Sequence, residues 1–243
     1  MNTNKKSVIQ ESKTKAAAST FMRLAGLSAA LAGLCFIIVG IFHQENVPAS
    51  VTTATWVNVH IFATLMGFLG LFGMAGVHAR QAEKSGWLGL TGYLLFSVWL
   101  MFIIPFSFIE AFILPGLATE LPAYVAGFLG MFTGIPSAID LGVLPTLWKL
   151  SDPMYLLGPL LFGIATFRAG VLPRWAGGVL ILGSTLAPVG ALLVSPEYQS
   201  LVMIPNGVAL GWLGYALLSE RREKASESLL EQGDVRMEPS QVA

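Results

Sequence analysis

The fold class this sequence predicts is all-α, a polytopic membrane helix bundle, and three observations carry it. Hydrophobic residues make up 54% of the 243 and charged residues only 12%, about half the ~25% of an ordinary globular domain. That is too little charge to cover a water-facing surface. The apolar residues fall in near-continuous runs of helical length, and in lipid only helices and closed barrels satisfy every backbone group. Finally, the basic residues gather on one side of those runs, as membrane proteins orient themselves. Together these predict six transmembrane helices with both termini cytoplasmic. The same composition excludes disorder. The single Cys35 excludes a disulfide framework or multi-thiolate cluster, and zero net charge gives no reason to expect nucleic acid as a partner.

A polar N-terminal tail (1–20) precedes a membrane domain (21–219). The first span, about 24–42, closes at His43, Glu45 and Pro48. The second, about 56–78, ends before Arg80, and the third, about 87–112, contains Pro105 and Glu110. Between 117 and 144 lies an apolar outer segment punctuated by Gly and Pro, expected to lie along the interface or dip into it. The fourth span, about 146–168, is placed by length. Met154–Phe167 alone would reach only about 21 Å of a ~30 Å hydrocarbon core. Starting at Thr146 is sufficient, and sets Lys149 and Asp152 on one face of its outer turn. The fifth (175–194) and sixth (201–218) spans are plain apolar runs, followed by a polar, cytoplasmic C-terminal tail, 220–243.

Charge tests the count. With the N-terminus inside, the inner segments hold Lys5, Lys6, Lys13, Lys15, Arg23, Arg80, Lys84, Arg168, Arg174, Arg221, Arg222, Lys224 and Arg236, leaving only Lys149 outside. A seventh span through 123–144 would move Arg168 and Arg174 to the wrong side. Trp56, Trp87, Trp148 and Trp175 fall near span ends, where interfacial aromatics belong. The first apolar run is too long for a cleaved signal peptide and lacks an A-x-A site. Leu34 before Cys35 argues against lipidation.

Gly67, Gly70, Gly73 and Gly76 recur every third residue along the second span. Ala25, Ala29 and Gly33 follow small-xxx-small spacing on the first, and Gly130 and Gly134 form a GxxxG. Small residues let helices approach closely in lipid. A tight intramolecular bundle is the expected use, with self-association second. No phosphate-binding loop is present. Pro105, Pro153, Pro159 and Pro188 interrupt spans, and Gly86–Gly89 echoes as Gly211–Gly214, weak hints of a repeat-built carrier.

Ionisable residues in spans are the natural functional candidates, and depth sorts them. His43 lies about 30 Å along the helix from Arg23, at the outer boundary. His60 is about 6 Å beyond Trp56, and Glu110 about 35 Å from Trp87, again near the outer boundary. His78 is some 27 Å from His60 and cannot share its site. His60, Glu110 and Asp152 are therefore the candidate ligand-binding residues, with Lys149 neutralising one of the acids. His43 and His60 are the candidate metal ligands, though no H-x-x-x-H or H-E-x-x-H spacing accompanies them. The competing reading has these and Glu45, Glu120, Asp140 and Glu197 each reaching separately into interfacial water. No catalytic residue is assigned: no G-x-S-x-G exists and no Ser stands beside a His–Asp pair. The cofactor, if there is one, stays open, with bis-histidine haem ligation through His43 and His60 a remote alternative.

Asp152-Pro153-Met154-Tyr155-Leu156-Leu157-Gly158-Pro159-Leu160-Leu161-Phe162-Gly163, followed by Arg168-Ala169-Gly170-Val171-Leu172-Pro173-Arg174-Trp175-Ala176-Gly177, resembles the fourth helix, inner turn and fifth helix of a family of six-span bacterial membrane proteins. That family is catalogued only as a domain of unknown function. The resemblance implies a bacterial cytoplasmic-membrane location and supplies no activity.

Three functions compete. A small-solute or ion carrier would use broken helices and a polar vestibule. An accessory or sensory protein would bind another membrane protein through its packed bundle. A metal-dependent membrane enzyme, ranked third, needs the outer His and acid residues to hold a metal. A polar trail running through the bundle would favour the carrier, and spans sealed by Leu and Phe the accessory protein.

Overall fold

The computed structural model describes the backbone of residues 2–237, and the side chains of residue 10 and of residues 13–220 except 191 and 196. Met1 and 238–243 of the expected tails lie outside the described residues, as do the side chains of Lys5, Lys6, Arg221, Arg222, Lys224 and Arg236. The described residues are mostly helical, joined by short turns and irregular segments, and contain no strand. Helices α1 (Asn2–Phe42), α3 (Ala54–Phe112), α6 (Leu144–Ala169), α7 (Arg174–Leu193) and α8 (Ile204–Met237) form the body. Short helices α2 (Pro48–Val51), α4 (Leu114–Leu117) and α5 (Pro122–Thr133) and a 3-10 helix (Pro196–Met203) sit between them. Four helical stretches are long and apolar enough to cross a membrane: Lys13–Phe42, Ala54–Phe112, Leu144–Ala169 and Glu197–Glu220.

Helix α3 would be about 89 Å long if straight, and it is not straight. At Gly86 the backbone turns to φ 54, ψ −151, a region closed to residues with a Cβ. The helix folds there into two antiparallel arms, 54–85 and 87–112. His78 stacks on Tyr93 with centroids 4.7 Å apart, and Gly67 and Gly70 lie against Ile104 and Leu100. The expected turn between Val77 and Trp87 therefore shrinks to one residue. Helix also continues past the apolar runs at the two ends, because the Ala, Glu, Lys and Gln of the polar segments are strong helix formers.

The two arms of α3 and the other four long helices pack as a closed ring in chain order, each antiparallel to its neighbours. Small residues mark every contact. A Cβ added at Gly73 would stand 2.6 Å from the Ala29 Cα of α1, and one at Gly92 would stand 2.8 Å from the Phe162 Cα of α6. The carbonyl of Gly163 on α6 would lie 2.6 Å from a Cβ at Gly177 on α7, and that of Gly33 on α1 would lie 2.7 Å from one at Gly207 on α8. The α7–α8 contact is Gly183 against the Asn206 backbone, 2.9 Å away by the same measure. The every-third glycines of the first arm serve two neighbours. Three residues turn a helix by 300°, so each glycine is rotated 60° from the last. Gly67 and Gly70 accordingly face the second arm, while Gly73 and Gly76 face α1. Gly130 and Gly134 do not form a helix contact. Gly134 is a left-handed cap whose N–H donates to the Gly130 carbonyl.

Alternating directions bring the start of the α1 span and the end of the α8 span to one end of the bundle, the tail end. There Arg80 Nε donates to Glu220 Oε2 at 2.7 Å. At the opposite, far end, α5 is about 18 Å long, too short to cross a membrane. It lies as a roof, burying Val125, Phe128 and Leu129 with Val51, Trp56, Phe106 and Leu114. The ring's outer surface is apolar, with Leu24, Phe68, Met101, Phe108, Leu182 and Val208 exposed, as a lipid-facing belt requires. Trp87 and Trp175 stand exposed at the tail end, whereas Trp56 is fully buried under the roof. The sequence expectation of an interfacial Trp56 is thus corrected.

Candidate functional site

The far half of the ring encloses a cavity of about 270 Å³. Val39 and His43 contribute from α1 and the turn after it, and His60, Ala63 and Met66 from the first arm of α3. Trp99, Ile103, Phe106, Ser107 and Glu110 come from the second arm, Trp148, Asp152 and Tyr155 from α6. Asn46, Phe132 of the roof and Met203 complete it. A second depression, of about 310 Å³ between the second arm and the start of α6, is lined only by apolar residues and Pro105.

Local helix geometry sets the polar centre. The Thr53 hydroxyl caps α3 by accepting from the Trp56 N–H at 3.1 Å. One turn on, His60 Nδ1 meets the Trp56 carbonyl at 2.8 Å. A carbonyl only accepts, so Nδ1 carries the proton and Nε2 faces inward. The Trp56 indole N–H donates to the Glu110 carbonyl at 3.0 Å, pinning the end of the second arm beside the start of the first. His60 Nε2 consequently stands 3.4 Å from Glu110 Oε2. His60 is 1% and Glu110 6% exposed, yet Nε2 has no hydrogen-bond partner among the described residues. His43 meets His60 edge to face at 5.1 Å. Burial holds the His43 imidazole below its ordinary value, with the Gln44 backbone pulling weakly the other way.

Asp152 lines the same cavity, but from a different depth. Gly158 packs against Phe96, so an antiparallel register sets Asp152 near residue 102 of the second arm. That is about 12 Å closer to the bundle's middle than Glu110. Lys149 is exposed and is not part of the lining. The two histidines are adjacent, but among the described residues no group of three or more His, Cys, Asp or Glu side chains is placed to hold a metal ion.

Ionisable groups alone do not reveal the polar amides and hydroxyls that also line the interior. Asn206 Nδ2 donates to Tyr155 Oη at 3.1 Å, and Tyr155 packs on Trp99 at 4.6 Å, halfway along the second arm. Asn206 Oδ1 is buried without a partner. An Asn directly after Pro205 inside an apolar run was the available signal. Below this level Phe36, Phe96 and Trp99 stack at 5.8–6.4 Å and form a floor. Beyond the floor come His78, stacked on Tyr93, and Gln81, whose Nε2 donates to Thr166 Oγ1 at 2.8 Å. His78 Nδ1 and Gln81 Oε1 are buried and without a hydrogen-bond partner among the described residues. Buried polar groups thus occur at three depths, interrupted by one aromatic layer. No family model, curated protein or solved structure matches the chain.

Proposed function

We propose that this chain is a six-span protein of the bacterial cytoplasmic membrane, with both termini cytoplasmic, that binds a small polar solute or ion in its far-end cavity and carries it across. Two more helices join the four of spanning length in this count. The 59 residues of α3 divide at Gly86 into two arms, and α7 has 20 residues, enough for about 30 Å. The tail end carries Arg23, Arg80, Lys84, Arg168 and Arg174, which supports a cytoplasmic assignment for that end. The likeness of 152–177 to bacterial six-span proteins agrees with it.

The single observation that carries the function is the cavity itself. It brings residues of α1, both arms of α3 and α6 around two nearly fully buried ionisable side chains, and such groups are costly to keep in a membrane without a use. Polar groups continuing past the aromatic floor to Gln81 and Thr166 favour a carrier over an accessory protein, whose polar residues would stay at the rim. The test is uptake into proteoliposomes across a panel of inorganic ions, amines, amino acids and sugars. Saturable uptake of one class, abolished in His60→Ala and Glu110→Gln, is expected. Uptake no faster than empty liposomes for every class would overturn the reading.

A further inference from the structure

The chemistry of the cavity wall selects among solutes, and we propose that its ligand is a small organic cation, an alkylammonium of a few carbons. The inference rests on the cavity-binding part of the proposed function and adds the substrate class. Three features of the wall carry it.

The first is charge. The acids lining the cavity are Glu110 and Asp152, and no Lys or Arg lines it. An anion would meet two carboxyl groups with no fixed cation to offset them. The second is hydrogen bonding. With the proton of neutral His60 committed to the Trp56 carbonyl, Nε2 presents a lone pair to Glu110 Oε2 at 3.4 Å. With His60 neutral, this pair holds at most one donatable proton, on Glu110, against several lone pairs, and the buried Asn46 Oδ1 offers a further acceptor. An ammonium supplies up to three N–H donors and no acceptor. A sugar or alcohol would bring acceptors as well as donors. The third is the aromatic wall. Trp148 meets Phe132 at 4.6 Å and Phe106 at 5.3 Å, both edge to face, and Trp99 and Tyr155 close the floor. Ring faces attract a partly desolvated cation and accept its alkyl chain.

Bare metal ions fit poorly. Calcium takes six to eight oxygens and magnesium a near-ideal octahedron, whereas among the described residues no three acidic, imidazole or thiol groups are placed to hold a metal ion. Size agrees with a small solute, since about 270 Å³ far exceeds the ~10–15 Å³ that admits one water by the same measure.

The test uses three probes of one shape, propylammonium, 1-propanol and propionate, titrated into the full-length protein in detergent. Calorimetry reports binding, and the change in total tryptophan emission that is lost in Trp148→Phe reports the cavity wall. Propylammonium is expected to bind, with the other two at least about tenfold weaker. Glu110→Gln and Asp152→Asn are near-isosteric and should each weaken propylammonium binding by about tenfold, leaving 1-propanol unaffected. Their unliganded melting temperatures show whether the fold is retained. Should Glu110→Gln not fold, Asp152→Asn and a Trp148→Phe variant with altered emission response still decide. Preferential binding of propionate or 1-propanol would overturn the cation assignment while leaving a solute-binding cavity standing. Binding of propylammonium without uptake into proteoliposomes would support the cation site and overturn carriage instead. No binding of any probe would overturn the inference.

Discussion

The tail half and the far half of the ring are made from the same six helical lengths and are packed in opposite ways. In the tail half, backbone lies on backbone: Gly73 and Gly76 on Ala29 and Ala25, Gly92 on Phe162, Gly163 on Gly177, and Gly214 on Gly26 and Ala30. In the far half the contacts are made by rings, with Trp56, Phe106, Phe128, Phe132 and Trp148 separating the helices. Backbone contact in lipid gains dispersion and weak polar interactions and leaves no room. Ring contact leaves gaps that polar side chains can share. The difference teaches how one bundle combines a closed half with a hollow one without changing its helix count.

The largest effect should come from adding volume where no room exists. Gly73→Leu and Ala29→Leu would each push a side chain into a neighbouring backbone, at a cost of about 3 kcal/mol, read as collapsed yield and a lower melting temperature in detergent. Ala63→Leu adds similar volume to the cavity wall and should cost under about 1 kcal/mol. Equal losses at 63 and 29 would erase the distinction between the halves. Gly70→Leu sharpens it further, because the nearest atoms to its Cβ would be Leu100 side-chain atoms at 3.0–3.6 Å rather than backbone, so a smaller loss than at Gly73 is expected.

Next in size is the turn that joins the two arms. Gly86→Ala keeps every contact, since nothing lies within 4 Å of a Cβ there, yet forces a side chain into positive φ. A loss of about 2 kcal/mol is expected. An unchanged melting temperature would mean that the arms meet through some other conformation. Trp56→Phe removes the indole donor to the Glu110 carbonyl and should cost about 1 kcal/mol. It should also loosen the roof, seen as faster hydrogen exchange across 122–133 and slow exchange retained in the tail half. Smallest is Glu220→Gln at the partly exposed Arg80 pair, with an effect below about 0.5 kcal/mol that shrinks further in high salt.

Legibility in the sequence follows the same division. Apolar run length found the helices because lipid imposes it, and depth counted from Trp56 and Trp87 placed His60 and Glu110 at one level. What escaped was whatever depends on a neighbour's identity. Trp56 reads as an interfacial anchor by position, and only the roof of α5 makes it a buried wall. Residues 117–144 carry too many prolines and glycines for periodicity to show that 122–133 folds back as that roof. The 3-10 helix (Pro196–Met203) takes the place of the first residues of the expected sixth span, because Pro205 delays the α-helix until Ile204. Tyr155 and Asn206 are 51 positions apart, and no local pattern links them. Asp152 is a register question, and register was set by Gly158 against Phe96, a contact no single helix reveals.

Ring closure also has an order in time. Helix α1 is made well before α8, yet its face bearing Gly26, Gly33 and Gly40 meets α8 and the segment leading into it, about 170 residues later in the chain. At roughly 5–20 residues per second of synthesis, that glycine face stays without its partner for about 10–30 s. During that interval lipid, or another chain passing through the same insertion site, is its only neighbour. The seam between α1 and α8 is therefore where a nascent copy is most open to pairing with the wrong molecule.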